Sequence, residues 1–228
     1  MKKLLILMMT IIAAVAMLAA GCGGGEKKAA EKVLRVGTEP TFAPFEFQKE
    51  GSSEFTGFDM DLIRGIGKKA GYKVGLIGTI ANYIGDECLG YSSRTTPESL
   101  ELQELFYKMA KAKMDYVVME VSSQSLKLNR VEGCNFDYGV FTNLYKDHIS
   151  LKEHSDMNDY FNSKLKLFEI APKGFANSDD FKCERLLYYA KNCDIKTYSI
   201  DNGSNLIAKD ITITNASVDF KVKLGQRN

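Results

Sequence analysis

Several features that would settle the function of a chain this size are missing from it. The 30 basic side chains are balanced by 29 acidic ones, for a net charge of +1, and no tract of Lys and Arg stands out. This argues against a dedicated nucleic-acid binder, which draws its affinity from phosphate neutralisation. The five cysteines, Cys22, Cys88, Cys134, Cys183 and Cys193, are scattered without metal-site spacing. Only two histidines occur, His148 and His154, and a lone exposed histidine usually means nothing. Gly65-Ile66-Gly67-Lys68-Lys69 comes nearest to a phosphate loop, but Leu62 stands where the first glycine is required and the surrounding periodicity is that of a helix interior. The apolar run from Leu4 to Ala20 is shorter than a bilayer-crossing helix comfortably needs.

That run has another reading. Lys2 and Lys3 precede it, and Leu18-Ala19-Ala20-Gly21-Cys22 closes it with small residues before a cysteine. Gly21 to Gly25 cannot continue a helix cheaply. The segment resembles a bacterial lipoprotein signal, which implies cleavage before Cys22, a diacylglycerol on its sulfur, and attachment to the outer side of the cell membrane. Ala19 departs from the larger aliphatic of the commoner pattern. Gly23-Gly24-Gly25-Glu26-Lys27-Lys28 reads as a flexible leash; the alternative is a soluble secretory signal with an incidental cysteine. The remaining four unspaced thiols suit a reducing cytosol, in contradiction to the export signal.

With 228 residues, 45% hydrophobic and 26% charged, the chain has material for one or two globular domains. From Val33 it reads as strand, loop, helix. Val33-Leu34-Arg35-Val36-Gly37 alternates like a strand, the following loop is rich in aromatics, and Phe58 to Tyr72 has helical periodicity. Thr38-Glu39-Pro40-Thr41-Phe42-Ala43-Pro44-Phe45, followed by Gly57-Phe58-Asp59-Met60-Asp61-Leu62, resembles the solute-binding proteins of polar amino-acid ABC transporters. That resemblance implies a strand-helix fragment of a periplasmic-binding-protein fold over 33–72. It also implies an ABC permease as partner, and an amino acid packed on Phe42 or Phe45; both phenylalanines are equally consistent with a core. The Arg and Asp that would clamp the ligand lie farther along that fold, where this sequence changes character.

From Lys73 to Asn228 the resemblance is to the Mur ligases, in particular those adding the third residue of the peptidoglycan stem peptide. Lys73-Val74-Gly75-Leu76-Ile77-Gly78-Thr79 is similar to a central-domain strand, and Arg94-Thr95-Thr96-Pro97-Glu98-Ser99 to the loop that opens the next helix. Val117-Val118-Met119-Glu120-Val121-Ser122-Ser123 reads independently as a buried strand ending in a carboxylate and two hydroxyls, the end of an α/β strand where ligands are held. The resemblance makes Thr95, Thr96, Ser122 and Arg130 contacts to a UDP-MurNAc-peptide. It makes Glu120 and His148 magnesium ligands and Lys164 a carbamate that supplies magnesium with hard oxygen donors. On residue chemistry alone Glu120 reads as a cap on the following helix. Gln124 replaces the family's usual histidine, His154 is expected at the surface, and Lys166 as a solvated neighbour of Lys164. Asn177-Ser178-Asp179-Asp180 matches the family's Asn-x-Asp-Asp, and Ser199-Ile200-Asp201, Leu206 to Thr214 and Val218 to Val222 are expected to form a small sheet that follows.

The expected fold is therefore α/β: a truncated Mur-ligase central domain, mostly parallel sheet with flanking helices, over 73–228. It is preceded by a signal with its lipidated cysteine over 1–22, a tether over 23–32 and the receptor-like fragment over 33–72. Mur ligases act in the cytoplasm, using ATP and Mg2+ to convert a carboxylate to an acyl phosphate. Their γ-phosphate is gripped by a Gly-x-x-Gly-Lys-Thr-type loop that would stand before Lys73, where the receptor-like sequence stands instead. The sequence also ends before the family's later adenine-contacting segment and C-terminal domain. The resemblance thus implies an inactive ligase fragment, with a sheet lacking its first strand and so leaving apolar surface uncovered. The alternative is a membrane-anchored amino-acid-binding lipoprotein.

Overall fold

The structure is a computed structural model, and it describes residues 34–38, 47–48, 55–56, 70–79, 81–146, 148–150, 153–200, 203–213 and 218–224. Cys22, Phe42, Phe45 and residues 58–69 of the helix expected over Phe58 to Tyr72 lie outside the described residues, while Ala70 and Gly71 form a turn, Gly71 with a φ of 84°, and not the last part of a helix.

The strands are β1 (Leu34–Thr38), β2 (Phe47–Gln48), β3 (Phe55–Thr56), β4 (Val74–Ile77), β5 (Ala81–Ile84), β6 (Glu87–Tyr91), β7 (Tyr116–Glu120), β8 (Tyr138–Phe141), β9 (Lys173–Asn177), β10 (Asp194–Ser199), β11 (Leu206–Ile213) and β12 (Val218–Leu224). Among the described residues the helices are α1 (Ser99–Lys111), α2 (Ser123–Lys127), α3 (Met157–Leu165), α4 (Leu167–Ile170) and α5 (Cys183–Tyr189). Ten strands form one sheet in the order β12, β11, β10, β9, β8, β1, β7, β4, β5, β6; β2 and β3 pair separately. From β11 to β4 all pairings are parallel, while β12, β5 and β6 close the two edges antiparallel.

β1 corrects one expectation. The sheet does not lack a first strand: Leu34–Thr38, from the receptor-like segment, runs between β7 and β8, with Val36 opposite Val118 on one side and Tyr138 on the other. A strand does not recognise the origin of its partner. An alternating apolar stretch with free backbone donors and acceptors satisfies a vacant parallel position if its length fits. The boundary at 72/73 is therefore crossed by the sheet. A second correction concerns β11 and β12, which extend this same sheet instead of forming a small one of their own.

The central strands are buried on both faces, as parallel strands covered by helices must be: all four residues of β4 and Val117 to Glu120 of β7 are buried. α1 packs through Leu102, Leu105 and Met109, a helical spacing. Glu101 in its first turn and Lys108 and Lys111 in its last complement the helix dipole. Its approach to the sheet requires Gly75, where an added Cβ would meet the Met109 sulfur at 2.8 Å. Cys134, Cys183 and Cys193 are buried and form no disulfide among the described residues. Burial pushes the Cys183 and Cys193 thiols up to about 11, so they remain protonated packing groups.

If β1 is a central strand, Val36→Pro orphans a sheet partner and should lower stability by about 1–3 kcal/mol or more. An unchanged urea midpoint would contradict that placement.

Candidate functional site

On either side of β1 the strands end at their carboxyl termini in two groups, β4 with β7 and β8 with β9 and β10, and short polar side chains tie each group together. Glu120, 1% exposed, accepts at Oε2 from the Thr79 amide (2.9 Å) and hydroxyl (2.7 Å), joining the exits of β7 and β4. Thr79 Oγ1 also lies 3.0 Å from Thr95 Oγ1. The fully buried Thr96 hydroxyl donates to the Glu120 carbonyl and accepts from the Ser122 amide, both at 3.0 Å. Ser122, not Glu120, caps α2, through its hydroxyl and the Ser125 amide at 3.2 Å.

Across the sheet, Asn177 donates to the Thr142 carbonyl (3.0 Å) and accepts from the Asp179 amide (2.9 Å). Asp180 accepts from the Leu144 amide (2.8 Å), and Asp179 from the Ile200 amide (2.6 Å). The Asn-x-Asp-Asp motif thus fastens the exits of β8, β9 and β10.

Above the β7 end opens a pocket of about 220 Å³. One wall is Arg94, Thr95 and Thr96 from the loop before α1; the floor is Ser122, Ser123 and Gln124; Arg130 follows α2; His148, Glu153 and His154 come from the loop before α3. Glu98 bridges the two arginines, pairing with Arg94 and lying 3.1 Å from Arg130 Nε. Arg130 is 7% exposed, so its charge is held in a poorly solvated setting suited to an anion.

The loop carrying the two histidines is closed on itself. The His154 amide donates to the His148 carbonyl (3.2 Å) and the Ser150 amide to the His154 carbonyl (3.0 Å). His148 has a φ of 56°, a left-handed conformation uncommon for a non-glycine residue. Its Nδ1 lies 3.2 Å from Glu153.

His154 is not a surface residue. It is wholly buried, stacked on Tyr160 at 5.0 Å, with Nε2 2.9 Å from the Ser123 hydroxyl and Nδ1 3.7 Å from Asp159. Burial is the largest influence and lowers its pKa; Asp159 opposes this, while Lys127 and His148 reinforce it. Asp159 itself is lowered to about 2, chiefly by its hydrogen bond from Lys127 at 2.6 Å.

Lys164 sits behind the pocket. Its amine donates to the Asn143 carbonyl (3.2 Å) and lies 5.0 Å from the centre of the Tyr160 ring. The residue as a whole is half-buried, but its amine end is enclosed. Desolvation lowers the pKa to about 7, with Asp180 pulling the other way. Lys166 is not simply solvated: it donates to the Leu126 carbonyl at 3.2 Å.

Of the sequence-predicted residues, the pocket gathers Thr95, Thr96, Ser122, Arg130 and His148, while Glu120 and Lys164 are not among its lining. No group of three or more His, Cys, Asp and Glu side chains converges on a metal position among the described residues. His154, Gln124 and Glu153 line the pocket without having been assigned to it as ligand contacts, and Arg94 and Ser123 enter it from the loop and strand end singled out in the sequence. Arg94 and Ser123 stand beside assigned residues, and that adjacency was the signal available.

Residues 60–227 match the Mur ligase middle domain. The chain belongs to this family. A shorter match, over 34–84, is to bacterial extracellular solute-binding proteins, family 3. The chain is 48% identical over 159 residues to the UDP-N-acetylmuramoyl-L-alanyl-D-glutamate–2,6-diaminopimelate ligase of Clostridium botulinum, covering 70% of this chain and 32% of that protein. It is 40% identical over 164 residues to the ligase of the same name from Bacillus velezensis, covering 68% and 33%. The chain therefore spans about a third of the length of these relatives. A solved structure of a ligase of that name superposes with a TM-score of 0.66 at 22% identity, over 83% of this chain and 37% of the other. A bifunctional folylpolyglutamate synthase/dihydrofolate synthase superposes at 0.52 with 14% identity, over 96% and 51%. At these identities the superpositions establish the Mur-type α/β fold.

The lowered Lys164 value carries a stability signature. Between about 7 and the ordinary 10.5 the unfolded chain binds the proton and the folded chain does not, so stability rises with pH through that window. The desolvation cost is fully present below pH 7. Lys164→Met should remove this rise, read as urea midpoints of both proteins from pH 6 to 10; parallel curves would contradict the buried amine.

Proposed function

We propose that this chain is a Mur-ligase-type domain that holds a UDP-MurNAc-peptide in the pocket over β7 and does not itself carry out the ATP-dependent ligation. One observation carries the reading. The pocket brings together hydroxyls and two arginines suited to an anionic, hydroxyl-rich ligand, while the central strand β1 leads into Thr38-Glu39-Pro40-Thr41-Phe42-Ala43-Pro44. That stretch of sequence has no glycine and no lysine, and it includes the acidic Glu39. Phosphoryl transfer consists almost wholly of positioning and charge neutralisation, so a sequence that lacks the Gly-x-x-Gly-Lys-Thr pattern after this strand is not expected to support it.

The donor chemistry fits magnesium in kind. Glu120 offers a buried carboxylate and His148 an imidazole. Lys164, with its value near 7, presents a neutral amine that can add to CO2 and lose a proton, giving a carbamate with oxygen donors. These three residues would hold the ion, and when bound it would offset phosphate and acyl-phosphate charge. The chain's own part is narrower. Arg94 and Arg130 neutralise and orient an anionic group, Thr95 and Ser122 offer hydroxyls, and Thr79 holds the Glu120 carboxylate in place.

Lipid attachment at Cys22 would set the domain on the outer side of the cell membrane, where ATP is scarce and the ligase-like part has no ligation to perform. The match over 34–84 supports a second reading, an anchored amino-acid receptor working with an ABC permease, with Phe42 or Phe45 against the ligand.

Calorimetric titration of the chain separates the readings. UDP-MurNAc-L-Ala-D-Glu should bind weakly, losing about tenfold or more on Arg130→Ala, the usual cost of deleting a charge-assisted hydrogen bond. ATP should neither bind nor be hydrolysed. Affinity for free polar amino acids alone would favour the receptor, and stem-peptide ligation by this chain would overturn the proposal.

A further inference from the structure

Ser123, His154 and Asp159 lie in a row that the proposed function does not use. Ser123 opens α2 on the pocket floor, 2% exposed. Its hydroxyl lies 2.9 Å from His154 Nε2, and His154 Nδ1 lies 3.7 Å from Asp159 Oδ2. Nδ1 is buried and makes no hydrogen bond among the described residues.

We infer that Asp159 sets the tautomer of His154, that His154 thereby fixes the Ser123 hydroxyl as a hydrogen-bond acceptor toward the pocket, and that Ser123 selects a ligand group carrying an N–H or O–H donor. The inference rests on the pocket being the nucleotide-sugar site.

The argument is one of polarity. A neutral imidazole has one N–H and one lone pair. Turned toward the Asp159 carboxylate, a bare Nδ1 would set lone pair against anion, whereas Nδ1–H meets it favourably, even at a separation too long for a hydrogen bond. Nε2 then holds the lone pair and the Ser123 O–H must donate to it. The serine oxygen is left with acceptor capacity only. A deprotonated phosphate or carboxylate oxygen placed there would face lone pairs; an amide N–H or a sugar hydroxyl would be received. The arginines take the anion and Ser123 the donor, so the pocket distinguishes the two ends of a ligand.

The same row of residue types serves nucleophilic catalysis elsewhere, but the distances argue against it here. Asp159 is already bonded by Lys127 at 2.6 Å and by the Ser155 amide at 2.9 Å. The carboxylate lies 3.7 Å from the ring, too far for the short hydrogen bond that holds the imidazole of a nucleophilic triad in place. The row is built to orient a hydroxyl.

Two measurements on the whole chain test this. Long-range proton–nitrogen spectra of histidine-labelled protein contain only two imidazoles, assigned with His148→Gln. His154 should show the Nδ1–H tautomer at pH 7, moving toward Nε2–H in Asp159→Asn. An Nε2–H tautomer or an imidazolium in the parent overturns the relay whether or not the pocket binds anything.

In titrations, Ser123→Ala should weaken UDP-MurNAc-L-Ala-D-Glu by about tenfold, the scale of one buried hydrogen bond with its partner left unmet. Ser123→Thr should retain the affinity, and UDP alone should be unaffected by either change. If UDP-MurNAc without the dipeptide loses the same factor, the donor is a sugar hydroxyl; if only the dipeptide form does, it is a peptide amide. Equal affinity of Ser123→Ala and parent for every probe overturns the selection. If the parent binds none of them, the pocket reading fails, while the spectra still decide the tautomer.

Discussion

A strand in the middle of a parallel sheet needs partners on both edges, and the rest of this molecule depends on that requirement being met by Leu34–Thr38. Adjacent strands lie about 4.8 Å apart, so β7 and β8, with one strand position between them, cannot bond each other directly. β1 supplies the missing ladder, with register to Tyr116–Glu120 on one side and to Tyr138 and Gly139 on the other. Remove it and two rows of buried amides and carbonyls lose their partners, and the strand exits that carry the site lose their relative position. The segment meets this backbone requirement without bringing the phosphate loop that a ligase would attach to the same strand. Structure and chemistry separate at Thr38.

The exits are held by short polar side chains, and this division of labour explains why the site looks complete on one side of β1. Thr79, Thr96 and Glu120 bind one another and the main chain, leaving the arginines and Ser123 to face the pocket. On the other side Asn177, Asp179 and Asp180 fasten three strands. Buried polar networks of this kind are costly when partly satisfied and rigid when complete, so these residues function as scaffold even where the family motif draws attention to them as chemistry. Tyr160 adds a ring that contacts His154 on one side and the Lys164 amine on another. Tyr160 therefore stands between a pocket residue, His154, and the buried lysine amine.

Much of this was legible in residue order. A β-rich run ending in Glu120, Ser122 and Ser123 announced a strand exit with donors and acceptors. Other features depend on tertiary neighbours. Nothing in the sequence around His154 distinguishes a surface imidazole from one stacked under Tyr160, nor does Lys166 announce its bond to the Leu126 carbonyl. The alternation of Val33 to Gly37 identifies a strand but not its partners, and pairing with β7 and β8 spans roughly 80 to 100 residues of chain, beyond any local pattern. The β5–β6 hairpin is a different case. Gly85, with a φ of 59°, opens a two-residue turn before Asp86, and Gly-Asp between apolar stretches is a signal of the sort that short loops provide.

Hydrogen–deuterium exchange of the intact chain, followed by mass spectrometry of peptides covering 34–38 and 116–120, tests the central claim most directly. If β1 is the middle strand, the amides of Arg35 to Gly37 should exchange as slowly as those of Val117 to Met119, both at the rate of global unfolding. Exchange of 34–38 at the rate of free chain, with 116–120 still protected, would contradict the account and leave the Mur-type sheet to be completed in some other way.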